Sequence, residues 1–76
     1  MARSIKIIGE NAGPFVSDMV KLCAGVTGQV EDDVEVRWRD KGKYRSITLG
    51  LQFKDANALH AVYAAIDKDP RVKYKI

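Results

Sequence analysis

From Tyr44 to Phe53 apolar and polar positions alternate: Ile47, Leu49, Leu51 and Phe53 share one parity, Tyr44, Ser46, Thr48, Gly50 and Gln52 the other. Such alternation predicts a β-strand with one face in a core and one face open to water. Upstream, Asp33 to Arg39 sets Val34, Val36 and Trp38 against Glu35, Arg37 and Arg39, a second half-buried strand. Between the two, Asp40-Lys41-Gly42-Lys43 reads as a hairpin turn whose glycine supplies a positive φ. Near the start, Ser4 to Ile8 reads as a strand with Ile5 and Ile7 inward and Lys6 outward, ending at Gly9. Near the end, Arg71 to Ile76 reads as another, with Val72, Tyr74 and Ile76 on one side and Lys73 and Lys75 on the other.

Two intervening segments carry helical spacing. Glu10 to Gly13 is a loop leading to Pro14, which suits the first position of a helix because its missing amide would be unpaired there. Val16, Met19, Val20, Cys23 and Val26 then form an apolar stripe, with Phe15 and Leu22 on its flank and Ser17, Asp18 and Lys21 opposite. Gly25 and Gly28 both offer this helix a place to stop. Asp55 suits the N-cap of a second helix, where Leu59, Val62, Tyr63 and Ile66 fall at i, i+3, i+4 and i+7. Asp67-Lys68-Asp69-Pro70 ends it.

The order strand, helix, strand, strand, helix, strand, with right-handed crossovers, folds as one antiparallel sheet with both helices on the same face. This is the α+β, ferredoxin-like βαββαβ sandwich, with strand order 4-1-3-2. At 76 residues the chain has room for one domain, residues 1–76, and one small core.

Composition narrows the function classes. One cysteine, Cys23, excludes an internal disulfide and suits a reducing compartment. Met1 to Ser4 leads into an apolar run too short for a signal peptide or membrane span, so a cytoplasmic location is expected. A net charge of +3 favours an acidic partner without naming one.

Catalytic chemistry finds little support. An acylphosphatase of this architecture would carry an arginine after the first strand, and Gly9 to Pro14 contains no basic residue. A metal carrier of this fold would carry a Cys-x-x-Cys pair in that loop, whereas Cys23 stands alone within a helix, where it reads as a small apolar filler. His60, the one histidine, falls on the flank of the second helix with no orienting partner in the sequence. The expectation is no enzyme, no cofactor and no metal.

The open sheet face is the more informative surface. By parity Lys6, Arg37, Arg39, Lys73 and Lys75 point to it, with Tyr44, Ser46 and Thr48 alongside and Glu35 as the acidic neighbour. Ferredoxin-like domains that bind RNA stack bases on aromatic side chains of the central strands. Here only Tyr44 is placed to stack. The alternative reading of the edge charges is protection against edge-to-edge aggregation.

Several of these segments resemble the small YbeD-like proteins, a bacterial family of proposed regulators of lipoate metabolism without an established biochemical activity. They are Ile5-Lys6-Ile7-Ile8-Gly9, Phe15-Val16-Ser17-Asp18-Met19-Val20, Lys41-Gly42-Lys43-Tyr44-Arg45-Ser46-Ile47-Thr48, Val62-Tyr63 and Val72-Lys73-Tyr74-Lys75-Ile76. The Lys-Gly-Lys-Tyr-Arg-Ser stretch is the most specific. The longer N-terminal segment with a Phe-Pro pair that family members often carry is not in this sequence. The resemblance implies a fold similar to the ACT domain, a regulatory module that commonly binds amino acids. By that comparison the loop with Gly9, Asn11 and Gly13 becomes a candidate ligand site, where backbone amides at a helix N-terminus suit a carboxylate.

The expectation is therefore a non-enzymatic regulatory or adaptor domain that binds a protein partner or a small metabolite, as a weak homodimer. Its candidate partner surface is Lys6, Arg37, Arg39, Tyr44, Ser46, Lys73 and Lys75. Nucleic-acid binding through the same face is the alternative; a membrane partner is not expected.

Overall fold

The alternating segments pair as the periodicity predicts. A computed structural model describes residues 2–75, with β1 (Ala2–Glu10), α1 (Phe15–Thr27), a 3-10 turn (Glu31–Asp33), β2 (Glu35–Lys41), β3 (Tyr44–Gln52), α2 (Ala56–Asp67) and β4 (Val72–Lys75). The strands form one four-stranded sheet in the order β2-β3-β1-β4, antiparallel throughout, which is the 4-1-3-2 arrangement. Lys41 pairs with Tyr44 across the two-residue turn Gly42-Lys43, and Gly42 takes φ 71° where a side chain would be strained. Central β1 and β3 match along their whole length, from Ala2 with Gln52 to Glu10 with Tyr44.

One face of this sheet is the core. Ile5, Ile7, Ile47, Leu49, Leu51 and Phe53 are buried against Phe15, Met19 and Cys23 of α1 and Leu59, Val62 and Ile66 of α2. Asp55 caps α2 by accepting a hydrogen bond from the Ala58 amide at 3.0 Å.

α1 departs from the expected stripe. Phe15 is fully buried and Ala24 nearly so, whereas Val26 is exposed, so the buried face is turned toward Phe15, Met19 and Cys23. The cause lies in β1. Gly9 is not in the loop but inside the strand and buried, and a Cβ there would come within 2.3 Å of the Phe15 ring and 2.8 Å of the Arg71 carbonyl oxygen. The hydrogen of glycine leaves the slot that Phe15 fills. Pro14 sits at the N-cap, one residue ahead of the expected first position, and Gly28, at φ 73°, ends the helix rather than Gly25.

β4 departs more sharply. Its pairing with β1 shifts register between Ile8 and Gly9: Ile7 faces Lys75, Ile8 faces Tyr74 and Gly9 faces Val72. This irregularity inverts the expected parity at the end of the strand. Lys75 turns to the helix layer, where its ammonium meets Asp67 at 2.5 Å and lies 5.9 Å from the centre of the Tyr63 ring. Tyr74, expected inward, stands on the open face and is exposed. Ile76, expected beside it, lies outside the described residues.

Candidate functional site

The register places the open face in rows across the sheet. Arg37, Thr48 and Lys6 form one row; Arg39, Ser46, Ile8 and Tyr74 form the next; Lys41, Tyr44 and Glu10 form the one nearest the hairpin. Glu35, Gly50 and Ser4 close the opposite end. Long cationic side chains therefore stand on edge strand β2, while the central strands contribute mainly small hydroxyl residues. The result is a trough. Lys6, Arg37, Arg39, Lys41, Ser46 and Thr48 line a shallow depression of about 250 Å³, and Ser4, Glu35, Arg37, Thr48 and Gly50 line an adjoining one of about 220 Å³.

Its charge is weakly compensated. Among the described residues Lys6, Arg39 and Lys41 take part in no ion pair, and the Arg37 contact to Glu35 is a long 3.9 Å between two well-exposed side chains. Such a pair contributes little. Lys73 does have a partner, Glu10 at 3.3 Å. Of the surface residues expected from sequence, Lys6, Arg37, Arg39, Tyr44 and Ser46 share this face by register, with Lys73 at its β4 margin; Lys75 does not. Ser46 is buried between its neighbours Arg39 and Ile8, so its hydroxyl forms part of the floor rather than the rim. Two residues were missed. Lys41 is carried onto the face because β2 runs to the turn, and Tyr74 arrives through the register shift.

The candidate loop is built differently from the expectation. The Glu10 amide donates to the Arg71 carbonyl at 2.9 Å, the Asn11 amide to the Lys43 carbonyl at 3.0 Å, and the Ala12 amide to the Glu10 carbonyl at 2.9 Å. The Asn11 side-chain amide adds a 3.2 Å bond to the Gly42 carbonyl. Both Asn11 amides are thus taken up by the hairpin turn, the Glu10 amide by Arg71 and the Ala12 amide by the loop itself, which leaves none of them for a ligand. Gly9 lies beneath Phe15, and Gly13, at φ 53°, has open space around it. Gly9, Asn11 and Gly13 are thus not brought together as an amide cradle.

Arg71 fastens the loop from the other side. Its guanidinium bonds the Asp69 carboxylate at 2.6 Å and Asp18 of α1 at 3.0 Å, and lies 5.1 Å from the centre of the Phe15 ring. The Arg71 side chain, by hydrogen bonding, holds the Asp69 carboxyl below its ordinary value against the opposing effect of burial. Because the folded pKa lies below the unfolded one of about 3.9, the contribution is complete above that pH and disappears as pH falls through the folded value. Arg71→Ala is expected to cost about 2 to 3 kcal/mol at neutral pH. Chemical melts between about pH 5 and 2 should show its deficit shrinking with acid; a deficit independent of pH would contradict the linkage.

Other chemistry-bearing groups lie elsewhere. Cys23 is buried in the core, where desolvation pushes its thiol up to about 11, so it is neither accessible nor ionised at neutral pH. His60 is exposed on α2. Among the described residues no cluster of metal-ligating side chains occurs, and no helix is long and apolar enough to cross a membrane.

A four-stranded sheet with two helices on one face and an open opposite face defines a small α+β domain of the ACT-like, ferredoxin-like class. Two solved structures share it. The solution NMR structure of the ACT domain from GTP pyrophosphokinase of Chlorobium tepidum superposes with a TM-score of 0.71 at 16% identity, over 100% of this chain and 83% of that one. The crystal structure of the same domain gives 0.66 at 19% identity, over 100% and 95%. The likeness at these identities is one of fold. Within that class the chain belongs to the family described as protein of unknown function (DUF493), the YbeD-like family, whose model matches residues 1–76. No curated protein matches the sequence.

Proposed function

We propose that this protein is a non-catalytic regulatory or adaptor domain, acting in the cytoplasm, that docks an acidic segment of a protein partner on the open face of its sheet. One observation carries the reading: Lys6, Arg39 and Lys41 share that face with Arg37 and have no ion pair of their own among the described residues. Clustered cations repel one another, and an acidic partner relieves that repulsion as it binds. The depressions are shallow and polar, which suits a peptide or protein surface better than an enclosed metabolite.

Poly-glutamate serves as the probe. Its affinity is expected to fall about tenfold or more in Lys6→Glu/Arg39→Glu and to weaken with added salt, while Lys54→Glu changes little. Equal affinity in the face variant and the wild type would reject the reading.

The finding that Tyr74 joins Tyr44 on this face favours a second reading, in which single-stranded nucleic acid stacks there. Affinity should then drop steeply with salt, and no detectable binding to single-stranded RNA or DNA at low salt would end it.

A further inference from the structure

The donors of the open face converge on one point. Arg37 of β2 and Lys6 of β1 are both register partners of Thr48 on β3, so a hydroxyl stands between two cations whose backbones are about 10 Å apart. Arg39 lies two residues along β2 on the same face, about 6 to 7 Å from Arg37. The other rows are built differently. The Ser46 row has Arg39 on one side and Ile8 on the other, the Tyr44 row sets Lys41 against Glu10, and the Gly50 row sets Glu35 against Ser4.

The same point is where the trough divides. Arg37 and Thr48 line both depressions, the larger together with Lys6, Arg39, Lys41 and Ser46, the smaller together with Glu35. Among the described residues the Thr48 and Ser46 hydroxyls make no hydrogen bond. No side-chain polar atom there is both buried and unpartnered, so both hydroxyls reach the surface of the trough.

Charge and shape decide what fits. An extended glutamate-rich segment presents one planar carboxylate about every 6 to 7 Å along its face, which suits cations set in a line. Three cations around one hydroxyl suit a single group of higher charge. A phosphate monoester carries about −1.5 to −2 at neutral pH and has three strong acceptor oxygens, so it can meet donors from three sides at once. We propose that Arg37, Thr48 and Lys6, with Arg39 beside them, form the seat of a phosphorylated serine or threonine in the partner's acidic segment. This assignment rests on the docking proposed above and names the residue that the face reads. Thr48 donates its hydroxyl from the floor, Arg37 two N–H groups of its fork from the β2 side, and Lys6 its ammonium from the β1 side. Arg39 and Lys41 receive acidic residues toward the hairpin, and Glu35 bounds the seat at the other end. A phosphodiester backbone, with single charges spread along a strand, matches this convergence less well.

Isothermal titration calorimetry on the full chain tests the seat with three forms of one glutamate–alanine peptide, whose central residue is phosphoserine, glutamate or serine. The phosphoserine form should bind about tenfold more tightly than the glutamate form, and the serine form most weakly. Thr48→Val keeps the side-chain shape and Arg37→Lys keeps the charge. Each should cut the phosphoserine preference to about threefold or less while leaving circular dichroism unchanged and poly-glutamate affinity within about twofold. Equal affinity for the phosphoserine and glutamate forms overturns the seat even where poly-glutamate binds the face, as does a preference that both substitutions leave intact. Poly-glutamate that ignores Lys6→Glu/Arg39→Glu rejects the docking reading itself, so the two failures are separate. Displacement of the phosphopeptide by an equal concentration of inorganic phosphate, or single-stranded RNA binding that is lost in Thr48→Val, overturns the assignment to a protein residue.

Discussion

Phe15→Ala is expected to destabilise the protein by about 3 to 5 kcal/mol, while Val26→Ala, eleven positions along the same helix, stays within about 0.5 kcal/mol. The contrast follows from the rotation of α1. Phe15 is fully buried, wedged over Gly9 and beneath the Arg71 guanidinium, so its removal leaves a cavity whose walls are backbone and a constrained arginine. Val26 is exposed, and its truncation removes little buried area. Denaturant melts of the two variants check this directly. Equal losses at both positions would restore the stripe expected from helical spacing and contradict the observed packing.

Leu49→Ala carries the second large effect, about 2 to 5 kcal/mol. Leu49 is fully buried on central β3, flanked in register by Ile5 on β1 and Val36 on β2, so neither neighbouring strand can collapse into the space without shifting its own pairing. A domain of this size holds only a modest total stability, and a loss at the upper end would leave much of it unfolded. Thr48→Ala, one residue away but on the open face, should cost far less. A denaturant melt showing less than 1 kcal/mol lost in Leu49→Ala would mean that the strand presents its other parity to the core.

The central strands were legible because their inward positions from Ile5 to Ile7 and from Ile47 to Phe53 are all apolar, with Arg3 and Arg45 sharing that parity only toward the strand ends. Ile5, Ile7, Ile47, Leu49, Leu51 and Phe53 allow only one parity to be buried, and that parity places Lys6, Arg37, Arg39, Tyr44 and Ser46 on the open side. α1 was ambiguous by composition. Apolar residues surround much of it, and what selects its buried face is the slot above Gly9, a contact between residues on different elements. β4 alternates as cleanly as β3, yet its register shift carries no glycine or proline marker between Val72 and Lys75, so Lys75 and Tyr74 exchanged sides. The loop was misread for a related reason. Asn11 is held by carbonyls of Gly42 and Lys43, more than thirty positions away, and local sequence holds no sign of that bond. The specific turn Lys41-Gly42-Lys43-Tyr44 thereby acquires a structural role, joining the hairpin to the start of α1.

The docking face is tested most directly by amide chemical-shift mapping while poly-glutamate, free amino acids, lipoate and short oligonucleotides are titrated in turn. The account predicts shifts with poly-glutamate that cluster on Lys6, Arg37, Arg39, Ser46 and Thr48 and fade as salt is added. Shifts confined to residues 9–16 with an amino acid or lipoate, and none on the sheet with poly-glutamate, would contradict it.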